Sequence, residues 1–307
     1  MFLLLTQNIK TSSSKRFIEE ANKMDLPMKM LNPYDSSLAF NQSNLSFPEN
    51  NFLTNKGPSS LFGLHRCTGT NFDDFDLLFS ESLLSKGIKI YNNPSSIKKI
   101  RGKDNQLLFF LQNALPHIPT LCFKGRPQKE FLENLNDNFK PFQHKEKFVL
   151  KTTRGNRGLG VNLINGKSSL FSILETFWAM KDQRFILQPF IESFEEYRVF
   201  VIKNKFLGAI KKKADPSSFD FRKNCERSQG TLEFLKSENL SPAIRDLSEK
   251  AFKETGCLYL GLDIILTHDG PLLLEINTVP GFEQLETLSK QNVAKEIILT
   301  LKEKVPF

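Results

Sequence analysis

YLGLDIILTHDGPLLLEINT, residues 259–278, is the stretch that decides the fold. Its two apolar runs flank His268-Asp269-Gly270, a turn tripeptide, so it predicts two strands joined by a tight turn. Asp263 lies in the first strand, and Glu275 and Asn277 lie in the second. Residues two apart on a strand share a face, which puts Glu275 and Asn277 side by side, and a hairpin lets Asp263 converge on them. Carboxylate and amide groups in otherwise apolar strands need partners for their buried polarity. A hard cation is the natural partner, because magnesium prefers oxygen ligands and binds one or two carboxylates together with substrate phosphates. The plainer alternative is an Asp and a Glu hydrogen-bonded at a strand end for structure alone.

Upstream, FVLKTTRGNRGLGVNLI, residues 148–164, reads as strand, loop, strand. Gly155, Gly158 and Gly160 give the loop backbone amides that could close over a triphosphate, and Lys151 adds a cation at the strand end. This is not a Walker loop: there is no GKS or GKT, and the following strand leaves no helix N-terminus to cradle phosphate. A hairpin turn with a solvated lysine is the alternative.

Around these motifs the chain reads as an α/β (α+β) protein of three units. MFLLLT predicts a buried strand followed by a serine-capped helix, and residues 32–60 form a polar stretch with room for a short hairpin or an irregular excursion. DFDLLF is expected to be a second strand, GIKIYNNP a third, and Ser95 to Asn113 one long helix. The first unit then spans 1–94, and a central unit with the glycine loop spans 95–181. In the last unit, 182–307, RFILQPFI, YRVFVI and KFLGAIKKK alternate like antiparallel strands, a Pro-opened helix follows, and a helix from about Lys290 to Lys304 ends the chain.

With 39% hydrophobic and 25% charged residues the composition is that of a globular chain, and the 29 Phe are expected to fill cores. A net charge of +8 favours anionic partners, but the basic residues are dispersed and lack an aromatic nucleic-acid motif, so no nucleic acid is expected. The four cysteines have neither CxxC pairing nor zinc spacing. No stretch is long enough to span a bilayer and Phe2–Leu5 is too short for a signal-peptide core, so no membrane partner and a cytoplasmic location are expected.

Taken in order, HRCTGT, NNPSSIKKIRGKDNQLLFF, FVLKTTRGNRGLGV, FILQPFIE, EYRVFVI, DFRKN with a downstream arginine, GLDII and LEINTVPGFE resemble the ATP-grasp superfamily, and within it the RimK-like glutamate ligases. The resemblance implies the ATP-grasp fold, with an N-terminal pre-ATP-grasp domain and two subdomains that clamp ATP. It implies Lys103 and Lys151 on the α and β phosphates, and Gly155, Gly158 and Gly160 in the covering loop. Gln188 to Phe190 match the hinge that meets adenine, with Glu192 or Glu195 on ribose. Arg198, Arg222 and Asn224 match positions facing the γ-phosphate and acyl-phosphate, and Asp263, Glu275 and Asn277 match the metal ligands. Lys212 and Lys213 stand where relatives carry two arginines, so Lys213 joins the nucleotide set, and Arg66 matches a position near the substrate cleft. The expected cofactors are ATP and magnesium, two ions, with manganese able to substitute. The expected activity is carboxylate–amine ligation through an acyl-phosphate, adding glutamate or another amino acid to a peptide, protein or small acid, in a homo-oligomer (dimer or tetramer). Two rivals stay open: an ATP-grasp phosphotransferase and an ATP-binding regulatory protein without turnover.

His65 and Cys67 beside Arg66 look like a nucleophile and its base. They are set aside because no third orienting group is evident from the sequence.

Overall fold

The apolar run Phe2–Leu5 is wholly buried, as a strand covered on both faces must be, and it forms β1 of a parallel sheet. The computed structural model describes residues 1–303 apart from 43, 56–60, 69–72, 126–127, 156–157, 181–183, 193–194, 204 and 214–230. The first sheet contains β1, β2 (Met28–Leu31), β5 (Phe62–His65) and β6 (Lys89–Tyr91) in the order β2-β1-β5-β6, with the ribbon β3 (Ala39–Asn41) and β4 (Asn44–Ser46) outside it. One face packs on helix Ser12–Lys23 and on two helices from the far end of the chain, Glu283–Ser289 and Val293–Glu303, through Phe2, Phe17, Phe62, Phe282 and Ile297. The other face packs on helix Phe75–Ser85 through Leu3, Leu5, Phe79 and Leu83.

The second sheet is antiparallel: β7 (Leu121–Lys124), β8 (Lys147–Thr152), β9 (Val161–Asn165) and β10 (Arg184–Pro189) in the order β7-β10-β8-β9. Helix Gly166–Met180 closes its core with Leu170 and Leu174 against Phe148 and Phe185. The third, also antiparallel, contains β11 (Glu195–Ile202), β12 (Lys205–Lys213), β13 (Thr231–Leu235), β14 (Tyr259–Thr267) and β15 (Gly270–Asn277) in the order β13-β12-β11-β14-β15. Val199 and Leu262 of this sheet meet Phe109 and Ile244, from helices Lys103–Gln112 and Pro242–Thr255. Phe side chains recur in all four cores, as the composition suggested.

Several expectations need correction. DFDLLF is helical: it opens helix Phe75–Ser85, and its apolar pattern continues at helical spacing through Leu83, beyond the six residues read as a strand. Strands β2 and β5 were not anticipated, because each has only four residues and β5 contains Gly63, where a Cβ would meet Ile90 and the Leu3 carbonyl at 2.9 and 3.0 Å. The long helix expected from Ser95 to Asn113 breaks into Pro94–Ile100 and Lys103–Gln112 at Gly102, whose φ is +84°. Strand β10 belongs to the second sheet, so the change of sheet falls after Pro189 rather than at 182. Among the described residues no helix is long and apolar enough to cross a membrane.

Asn92 joins the first sheet to the third. It is buried with φ +51°, a conformation Asn tolerates better than most residues. Its Nδ2 donates to the carbonyls of Tyr259 (2.8 Å) and Thr278 (3.0 Å), and its Oδ1 accepts from the amides of Leu258 (2.9 Å) and Tyr259 (3.1 Å). Asn92→Ala leaves those buried backbone groups without partners and should destabilise the protein by about 3 kcal/mol, read as a lowered urea midpoint at unchanged slope.

Candidate active site

The hairpin β14–β15 sets Asp263 directly opposite Glu275 and Gly261 opposite Asn277, with a register shift after Asp263. On the other side β11 sets Arg198 opposite Asp263, so Arg198, Asp263 and Glu275 form one row across three strands. Arg198 binds Asp263 through both groups, Nε to Oδ1 at 2.7 Å and Nη2 to Oδ2 at 2.6 Å. Burial alone would raise the Asp263 carboxyl, but Arg198, helped by Lys212 and Lys151, holds it below the usual carboxylate range. Asn277 Oδ1 accepts from the Val279 amide at 2.9 Å, which fixes which end of the side-chain amide is oxygen. Strand β15 is an edge strand, and Gln106 stands in for the missing neighbour: its Nε2 donates to the Ile276 carbonyl at 2.8 Å and its Oε1 accepts from the Ile276 amide at 2.9 Å. Gln106 thus clamps the residue between Glu275 and Asn277.

Two lysines border this row. Lys103 Nζ lies 3.6 Å from Glu275 Oε1, and the Lys103 amide donates to the Thr153 carbonyl at 2.8 Å, tying the start of helix Lys103–Gln112 to the end of β8. Burial pushes the Lys151 ammonium down to about 8, with Lys103 adding to the effect and Glu275, Glu196 and Asp263 opposing it. In the loop, Gly158 and Gly160 have φ of +75° and +74°, and a Cβ at Gly160 would strike Thr152 Oγ1 at 2.3 Å, so this position accepts only glycine. A Cβ at Gly155 would come within 2.9 Å of the Leu159 carbonyl.

Gln188 is buried in β10 and donates to Thr120 Oγ1 at 2.9 Å, while the Phe190 amide donates to the Lys147 carbonyl at 2.9 Å. With Pro189 lacking a donor and Phe190 committed, the next backbone donor along the hinge is Ile191, which the sequence reading did not include.

Strand alternation separates the remaining acidic and basic positions. Glu195 lies on the other face from Arg198, accepting from Tyr197 Oη at 2.7 Å and pairing with Lys211 at 2.6 Å, a bond that holds its carboxyl low. Lys213 is opposite Glu195 and exposed, and Glu192 is exposed outside the strand. The structure does not bring these three to the row. Their neighbours do reach it: Glu196 and Lys212 are opposite one another and in phase with Arg198. Lys212 is 5% exposed, and burial next to Arg198 lowers its ammonium to about 8 against the pull of Asp263 and Glu196. The signal for both was present in the alternation two residues either side of Arg198 and Ile210. Arg222 and Asn224 lie outside the described residues.

His65 does have an orienting carboxylate: Nε2 is 3.0 Å from Asp76 Oδ2, and Nδ1 is 2.8 Å from Ser80 Oγ. His65, Cys67 and Asp76 cluster closely enough to resemble a metal or nucleophile site. All three are buried, and burial lowers the imidazole and raises the thiol, so neither a thiolate nor an approach for substrate exists there. The Arg101 guanidinium on Asp76 also opposes a cation. Arg66 is buried against the rings of Phe17 and Phe282 and donates to the Pro280 carbonyl at 3.2 Å, beside the loop that follows Asn277.

The fold and the family of the chain follow from its likeness to known proteins. Residues 119–301 match the RimK-like ATP-grasp domain. A probable alpha-L-glutamate ligase of Coxiella burnetii is 34% identical over 211 residues, 67% of this chain and 65% of that protein, so just under two thirds of the relative's length is matched. A RimK domain ATP-grasp protein from Sphaerobacter thermophilus superposes with a TM-score of 0.69 at 15% identity, covering 98% of each chain. The ATP-grasp ligase PsnB, in complex with a minimal precursor, Mg and ADP, gives 0.70 at 15% identity over 99% of this chain and 97% of that one. The fold is the ATP-grasp fold, and the chain belongs to the RimK-like ATP-grasp family.

Proposed function

We propose that the protein is an ATP-dependent carboxylate–amine ligase that joins an amino acid, glutamate foremost, to a peptide or small acid. The observation that carries this reading is the row Arg198, Asp263, Glu275 with Lys103 and Lys151 along its border. It also rests on family membership and on relatives described as glutamate ligases.

The donor set fits magnesium: two carboxylates and an amide oxygen, all hard oxygen ligands, with spare lone pairs on Asp263 beyond its Arg198 bonds. Asp263, Glu275 and Asn277 would hold the metal, whose contribution is to neutralise phosphate oxygens. Lys103 and Lys151 would grip the α and β phosphates, and the loop around Gly155, Gly158 and Gly160 would close over them. The Phe190 carbonyl and Ile191 amide would meet adenine. Glu196 is the acidic side chain we assign to the nucleotide side, in place of Glu192 or Glu195, and Lys212 takes the place of Lys213. Arg198 is aligned for the γ-phosphate, and we keep Arg222 and Asn224 as further candidates for the acyl-phosphate.

In the first step a substrate carboxylate oxygen attacks the γ-phosphorus and the bond to the β–γ bridging oxygen breaks, giving an acyl-phosphate and ADP. In the second the amine attacks the acyl carbon, inorganic phosphate leaves and the amine loses a proton. Alignment and charge stabilisation supply most of the rate, which suits a site of fixed cations without a protein nucleophile.

The deciding experiment is ADP release with magnesium and ATP against a panel of amino acids and acidic peptides, with mass spectrometry of the products. Amine-dependent ADP release with a condensation product supports the ligase, whereas phosphorylated product without amine dependence supports a phosphotransferase. Glu275→Gln should lower turnover by about 100-fold or more while circular dichroism is unchanged, and normal turnover would remove Glu275 from the metal set.

The lowered Lys151 ammonium makes a second prediction. Lys151 binds phosphate only when protonated, and in the free protein it loses its proton as pH rises through about 8. Nucleotide affinity should therefore be flat below that pH and fall above it, by at most about tenfold per pH unit through this proton, with Lys212, also lowered to about 8, able to add a second such factor. In Lys151→Arg, whose side chain stays charged, the fall assigned to this group should vanish from the calorimetric titration.

A further inference from the structure

We propose that Asp74 is a positioning residue for nucleotide binding: it clasps Arg101 and Arg154, the two arginines that flank Lys103 and the glycine loop. The proposal rests on reading Lys103, Lys151 and that loop as the nucleotide site. Arg101 precedes Lys103 by two residues, and Arg154 immediately precedes Gly155. Asp74 belongs to the N-terminal unit, so its carboxylate is the point where that unit takes hold of both phosphate-facing segments.

The geometry is a chain of charge-assisted bonds anchored in the core. Asp76 is fully buried and receives Arg101 through Nη1 to Oδ1 at 2.7 Å and Nη2 to Oδ2 at 2.6 Å, together with Tyr34 Oη at 3.1 Å. His65 Nε2 adds a fourth contact, from a third residue, at 3.0 Å. So fixed, Arg101 Nη1 also donates to Asp74 Oδ1 at 3.0 Å. The same oxygen accepts from Arg154 Nη1 at 3.1 Å, and Oδ2 accepts from Arg154 Nη2 at 3.2 Å. The two arginine side chains are 4% and 9% exposed, while the Asp74 side chain that both of them reach is 47% exposed. Asp74 is the carboxylate between them.

A second observation separates this from an ordinary helix cap. Asp74 occupies the N-cap of helix Phe75–Ser85, where an aspartate normally accepts from a first-turn amide, yet its side chain makes no cap hydrogen bond. The carboxylate is turned instead to the arginines. Beyond the clasp, the Lys103 amide and the Thr153 carbonyl join the two held segments directly at 2.8 Å. The clasp thus braces the two segments that carry Lys103 and, three residues before Arg154, Lys151 against the repulsion between their ammonium groups, which adds to the larger effect of burial on Lys151.

The test is calorimetric titration with Mg·AMPPNP of the whole protein, its Asp74→Ala, Asp74→Glu and Arg154→Ala variants, and the double variant Asp74→Ala/Arg154→Ala. The clasp predicts about tenfold weaker binding in each alanine single variant, no further loss in the double variant, and recovery of most of the affinity in Asp74→Glu. It also predicts a raised KM for ATP with kcat retained at saturating ATP, which a general loss of folding would not give. If Asp74→Ala is poorly folded, Asp74→Asn, which keeps the shape and drops the charge, is held to the same weakening. Wild-type affinity in a folded Asp74→Ala, or additive losses in the double variant, overturns the clasp alone. Failure of the wild-type protein to bind Mg·AMPPNP overturns the nucleotide site and the clasp with it.

Discussion

The bidentate bond between Arg198 and Asp263 is the constraint around which the third sheet is arranged. Asp263 is 6% exposed on the strand between β11 and β15, where an ionised carboxylate would be expelled without a partner. Arg198 compensates it at directly opposed positions, and breaking such a pair by removing one member costs about 3–5 kcal/mol because the other is left charged and buried. That cost holds the strand register as well as the charge. A slip of one residue would turn Asp263 into the apolar face formed by Val199 and Leu262, which packs on Phe109 and Ile244. The carboxylate is therefore held in place by the protein's own bonds, and Glu275 follows it through the hairpin.

Polar side chains also connect the sheets to one another. Asn92 ties the end of β6 to the start of β14 and to Thr278, Gln106 completes the outer edge of β15, and Arg101 joins helix Pro94–Ile100 to Asp76. Each bond satisfies a buried group that would otherwise be costly, so each specifies one relative placement of the elements it joins. Apolar packing between the first sheet and the terminal helices brings the parts together, but it is the less directional force. The site's residues come from segments more than 150 positions apart, Lys103 and Glu275 among them, and these directional bonds are what bring such segments into register.

Legibility from sequence followed how local each signal was. Asp263, Glu275 and Asn277 were readable because they interrupt apolar strands joined by a plain turn, and the three glycines because they fall between two strands. The choice between Glu195 and Glu196, and between Lys212 and Lys213, was carried only by strand alternation counted from Arg198. It turns on the phase of a strand whose start follows a hinge, and one residue of phase exchanges the face of Arg198 for the opposite one. The split at Gly102 and the helix at DFDLLF were missed for a related reason, since short windows do not separate helical from strand spacing. The carboxylates that hold Arg101 were beyond reach for another reason: Asp74 and Asp76 meet it only through the tertiary fold.

The charges around the row follow one logic. Lys103, Lys151, Lys212 and Arg198 are interleaved with Asp263, Glu275 and Glu196, so cations and anions alternate without cancelling at each point. Burial lowers two of the ammonium groups to about 8, a cost that a bound anion would offset. Polyphosphate alone would meet the carboxylates, and a divalent cation alone would meet the ammonium groups and Arg198. On the proposed function, this mixed pattern of charges would favour a metal–nucleotide complex over either component alone.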